Sequence, residues 1–153
     1  MTTTHPVTVH PATAHRRRNR VLTTAAIDLL DALRTHLSAF ELPELSSVSV
    51  LTARSRGIVS VHLACQHLPE IACGVLAWAD TLTETTARAW RVPSGDSAHL
   101  SVIGQLPEGI SVHVSSGVTF TEQGIGADLA PGASTTVPLA VPRERATPAE
   151  VTL

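Results

Sequence analysis

Apolar side chains recur at three- and four-residue steps from Leu22 through Ala26, Leu30, Leu33 and Leu37 to Phe40, with Asp28, Asp31 and Arg34 off the stripe. That spacing predicts a helix from about Asn19 to Phe40, stopped by Pro43. The period then changes to two. Val48, Val50 and Thr52 mark a first strand, and Val59, Val61, Leu63 and Cys65 place a second over Ile58–Cys65. Pairing Ala53 with Ile58 leaves Arg54-Ser55-Arg56-Gly57 as a hairpin loop, sets Val50 opposite Val61, and matches the apolar faces.

Pro69 suits a first helical position and opens a second helix to about Thr83, with Ile71, Val75, Trp78, Ala79 and Leu82 as its inward stripe. Strand three follows over Ala87–Val92, then a Pro93-Ser94-Gly95-Asp96 turn. His99–Leu106 and Ile110–Ser115 form strands four and five, joined by Pro107-Glu108-Gly109 with a bulge at Gly109. In that register Gly104 faces Val112 and Val102 faces Val114. The expected fold class is α+β, two-layer, ordered α-β-β-α-β-β-β, with a largely antiparallel five-stranded sheet and both helices on one face. Periodicity confines this domain to residues 20–118. Residues 1–19 read as a flexible Thr/His/Pro/Arg-rich tail, and residues 119–153 as a Pro/Ala/Thr/Gly-rich tail with some local order.

Composition changes the picture little. The 153 residues suit one core, and 43% hydrophobic content excludes global disorder. The net charge of −2 gives no bulk attraction to nucleic acid or anionic membrane. Basic charge is local, with Arg16, Arg17, Arg18 and Arg20 in a segment lacking carboxylates. All eleven basic residues are arginine, and lysine and tyrosine are absent, a pattern of GC-rich coding rather than of arginine chemistry. Two cysteines, Cys65 and Cys73, are too few for a disulfide scaffold. The Arg17-Arg18 pair makes no twin-arginine signal, because Asp28 and Asp31 break the region that would have to be apolar. The longest apolar run, Ile71 to Ala79, is nine residues and cannot span a bilayer. A cytoplasmic location is the default expectation.

The stretches Trp78-Ala79-Asp80-Thr81-Leu82-Thr83 and Ala89 to Leu100 resemble small uncharacterised proteins of GC-rich actinobacteria and their mobile elements. The resemblance extends through Phe120-Thr121-Glu122 and Gly126-Ala127-Asp128-Leu129. It implies order as far as Leu129, and no catalytic residue.

No chemistry assembles convincingly. His62, Cys65, His67 and Cys73 lack a recognised zinc spacing, and His62 and Cys65 have opposite strand parity. His5, His10 and His15 belong to an imperfect repeat of the first tail. For His62, His99 and His113, about 3.3 Å per residue separates His99 from His113 by about 13 Å along the strands, so they read as separate solvent-facing histidines. Gly95-Asp96-Ser97 with His99 offers a nucleophile and a base but no orienting acid or oxyanion hole. Neither catalytic residue, metal nor cofactor is therefore expected.

A binding surface remains. If Ala87 and Ala89 lie beneath the second helix, Arg88 and Trp90 occupy the open sheet face with His62, His113, Ser101 and Ser111. If the alanines face outward, Trp90 joins the core. The reading is a non-enzymatic protein-interaction or accessory module with an unknown partner or a second copy of itself, a homodimer. The alternative is a nucleic-acid-associated accessory protein using the Arg16–Arg20 arm.

Overall fold

The computed structural model describes the backbone of residues 11–53 and 56–146, and side chains over residues 25–52 and 57–146. Helix α1 spans Pro11–Ala39, then strands β1 (Leu45–Ala53) and β2 (Arg56–Leu63), and helix α2 (Leu68–Ala79). Strands β3 (Thr83–Arg91), β4 (Ser97–Gln105) and β5 (Ser111–Thr119) form a meander, followed by β6 (Ser134–Val137) and α3 (Ala140–Ala146). The α+β class holds, but the sheet is six-stranded and mixed, in the order β1-β2-β5-β4-β3-β6.

Three differences from the sequence expectation have physical causes. The first helix begins at Pro11 rather than near Asn19; Pro11 has a preset φ suited to a helix start, and the alanines and arginines after it favour helix. Residues 1–10, with His5 and His10, lie outside the described residues. The β1–β2 hairpin is shifted by two, pairing Val50 with Val59, Val48 with Val61 and Ala53 with Arg56. A shift of two preserves side-chain parity, so facing apolar residues match in both registers and cannot choose between them. The third difference is β5, which pairs with β2 in parallel, Val59 opposite Val112 and Val61 opposite Val114. Local turn signals carry no information about that long-range neighbour.

The β4–β5 register agrees with expectation, Gly104 opposite Val112 and Val102 opposite Val114. Gly109 has φ 76°, as the αL position of such a turn requires. The chain after 118 is also built into the molecule: β6 pairs antiparallel with β3, and Ile125 and Pro142 are buried. Arg91 ties this segment down. Its Nη1 donates to the Leu129 carbonyl at 3.0 Å, and its guanidinium lies 3.5 Å over the Phe120 ring.

The core lies between the helices and one sheet face. Val59, Val61, Leu63, Ala89, Ala98, Leu100, Val102, Val112 and Val114 come from the sheet, and Ile71, Val75, Trp78, Ala79 and Leu82 from the α2 region. That stripe agrees with the sequence reading. The α1 stripe agrees only in part: Leu33 is buried and Leu37 packs against the core as expected, but Leu29 and His36 are buried as well, whereas Leu30 and Phe40 are exposed. The α1 seam therefore includes a histidine, which apolar counting passes over. His36 stacks on Trp78 at 5.6 Å, and its Nε2 lies 2.9 Å from Thr81 Oγ1. Among the described residues no helix is long and apolar enough to cross a membrane.

Candidate functional site

With α1 and α2 on one face, the opposite face of the sheet carries the even-numbered positions of β2 and β3 and the odd-numbered positions of β4 and β5. Cross-strand pairing arranges them in rows. His62, Ser115, Ser101, Arg88 and Thr136 form one row, each opposite the next. Gly117, His99, Trp90 and Ser134 form the adjacent row on one side. Ser60, His113, Ile103 and Thr86 form the row on the other. Rows two residues apart on one face have neighbouring side chains.

Size differences among these side chains make a concavity. Ser101 and Ser115 are short and lie at the centre, surrounded by His62, Arg88, Trp90, His99 and His113, with Ser134 beyond. Together they line a cavity of about 290 Å³. The His99 ring lies over Gly117, where a Cβ would come within 2.8 Å of its Cε1 and Nε2. Lying there, the ring meets Trp90 at 5.1 Å and His62 at 5.9 Å between centroids. His62 Nδ1 is 3.3 Å from Ser115 Oγ, and Arg88 Nη2 donates to Ser134 Oγ at 2.8 Å.

This corrects the expectation of separate, solvent-facing histidines. The distance along the strands concerned only His99 and His113. Parallel pairing of β2 with β5 puts His62 in the row between them, and Gly117 lets the His99 ring reach it. His99 and His113 are half-buried rather than fully exposed. Burial first, then the His62 and His113 imidazoles, holds His99 below the ordinary histidine range. Burial, then the Arg88 guanidinium and His62, does the same to His113. None of the eight lining residues is a carboxylate.

No protein-family model, curated protein or solved structure matches the chain.

The surface residues proposed from sequence (Arg88, Trp90, His62 and His113) line the same concavity, and Trp90 is 39% exposed while Trp78 is fully buried. Sequence reasoning missed His99, Ser115 and Ser134 as members. Parity in β4, which puts His99 and Ser101 on one face, was a usable signal for the first. Arg16, Arg17, Arg18 and Arg20 fall on the first half of α1, but their side chains lie outside the described set. The Cys65 and Cys73 thiols are free, and Cys73 Sγ points to the Ala146 carbonyl at 3.7 Å. Asp96 is held by Ser94 Oγ, which donates to its carboxylate at 2.6 Å.

Chemically, the cup is a set of hydrogen-bond donors around hydroxyls. The His62–Ser115 contact resembles a base beside a nucleophile, but no carboxylate among the lining residues orients the imidazole. Ser115 also sits mid-strand between two ladders, where regular sheet pairing takes up the backbone N–H groups that an oxyanion hole would need.

Proposed function

We propose that this protein is a non-enzymatic recognition module that engages its partner, another protein or a second copy of itself, through the open face of the sheet. The observation that carries the reading is a large exposed aromatic, Trp90, beside an arginine and three histidines around one concavity on the face that no described helix covers. Tryptophan and arginine are enriched in interface hot spots, where each supplies a large contact area and directed hydrogen bonds.

The test uses the full chain carrying Trp78→Phe, which leaves Trp90 as the sole tryptophan. Acrylamide should quench Trp90 readily in a sample that light scattering shows to be monomeric, and less in a dimer or complex. Shielding of Trp90 in the monomer would defeat the reading. Retention of nucleic acid that vanishes with added salt, and survives Trp90→Ala, would favour the Arg16–Arg20 alternative instead.

A further inference from the structure

We propose that the cup on the open sheet face is an oxyanion site, taking a carboxylate or phosphate group from a ligand whose planar part stacks on Trp90. The proposal rests on reading that face as a recognition surface and gives it a ligand class. All seven polar lining residues carry hydrogen-bond donors: the Arg88 guanidinium, the imidazoles of His62, His99 and His113, and the hydroxyls of Ser101, Ser115 and Ser134, of which Ser101 Oγ already donates to the Arg88 carbonyl at 3.4 Å. No lining residue brings a negative charge. A cavity of about 290 Å³ is at the lower end of small-ligand sites, room for one charged group and a small attached ring.

Electrostatics points the same way. Arg88 beside His113, and His62 beside both histidines, oppose each further positive charge in the cup. An oxyanion would reverse that balance by charge-assisted hydrogen bonds to the same groups. A divalent cation would instead meet the Arg88 guanidinium, and among the described residues no three His, Cys, Asp or Glu side chains are grouped to hold one. The fork of Arg88 is already oriented by its bond to Ser134 at 2.8 Å. Trp90 contributes a partly exposed aromatic surface at the rim, tilted against His99.

The experiment follows the histidine ring C–H resonances of the full chain by NMR at constant ionic strength. Inorganic phosphate and acetate are titrated as probes, then phenyl phosphate and benzoate. His62, His99 and His113 should shift saturably while His36, on the other side of the sheet, stays put. The titration midpoints of His99 and His113, the groups facing His62 and Arg88, should rise on binding. Arg88→Gln should weaken the better inorganic probe at least tenfold at an unchanged melting temperature. The aryl probes should bind at least threefold tighter than their parent anions, and Trp90→Ala should remove that gain. Whether phosphate or acetate binds more tightly identifies which oxyanion the site takes.

Parallel, unsaturable shifts at all four histidines would overturn the proposal, as would wild-type affinity in Arg88→Gln. Saturation of the trio by zinc ions where neither anion binds would overturn it in favour of a metal. If no anion binds while Trp90 stays quenchable in the monomer and shielded in a complex, the oxyanion site fails and the recognition face stands. Shielding of Trp90 in the monomer removes both.

Discussion

Trp78→Phe should leave stability within about 1 kcal/mol of wild type, whereas Trp78→Ala should cost about 3–5 kcal/mol, the usual range for deleting a large buried aromatic. Trp78 is fully buried in the helix-facing core, yet its indole Nε1 finds no acceptor among the described residues. Replacing indole by benzene removes two ring carbons, about 1.6 kcal/mol at about 0.8 per buried carbon, with a further term for the space left. It also removes a buried, unpartnered donor, whose desolvation costs about 1–3 kcal/mol. The two effects nearly cancel. In Trp78→Ala the gain from removing the donor is the same, but the whole ring and its contact with His36 are lost. Urea unfolding followed by circular dichroism measures both. At about 2–4 °C per kcal/mol for a chain of this size, the alanine variant should melt about 6–20 °C below wild type. If Trp78→Phe costs more than about 2 kcal/mol, Nε1 has a partner in solution and the reasoning fails.

Stability should fall as pH drops below about 6.5, the unfolded histidine value. Burial holds His36, His99 and His113 below that value in the fold, so the unfolded chain binds more protons in this window and stability rises with pH there. The loss should level off below the folded values; urea midpoints unchanged between pH 7.5 and pH 5 would refute this. A chain ending at Phe120 should be destabilised by at least about 2 kcal/mol, since Ile125 burial alone contributes about 1.5–3, and the pairing of β6 with β3 is lost as well; an unchanged melting temperature would sink the claim. Gly117→Ala should cost about 1–3 kcal/mol as local overpacking and displace the His99 ring, visible as a chemical-shift change at His62 and Trp90; unaltered shifts would show that the ring does not lie over Gly117.

What the sequence made legible was parity. Alternation groups Arg88 with Trp90 on one face of β3 and puts His62 and His113 opposite the apolar positions of β2 and β5, because the period of a strand is fixed by its backbone and needs no partner to be read; it does not say which face of β3 meets the helices. The α2 stripe was legible for the same reason, its apolar positions being nearly all buried. Features that depend on distant chain were not. The two registers of the β1–β2 hairpin bury the same side chains, and the short connection that decides between them leaves no apolar signature. Strand β6 is four residues in a Pro- and Gly-rich segment, and it exists because β3 offers an edge. The parallel contact between β2 and β5 arises from how the meander closes against the hairpin. Without that contact, His62 has no defined place relative to His99, so the cup could not be assembled from sequence.

The histidines held below their ordinary range fall into two groups, and the difference bears on what the cup is for. His36 is buried, but it is also placed: it stacks on Trp78, touches Phe40 at 4.8 Å and lies within hydrogen-bonding distance of Thr81. Packing alone explains it. His99 and His113 sit on a face that no described helix covers, crowded by His62 and Arg88 without a carboxylate among them. This arrangement makes their protonated forms costly, and their contacts lie among the cup residues themselves rather than in the helix-facing core. Titratable side chains crowded together outside the helix-facing core, where protonation is disfavoured, are where a ligand is the physical explanation to test. An oxyanion in the cup would convert that unfavourable crowding into charge-assisted hydrogen bonds, and it would do so on the one face where Trp90 is open to solvent.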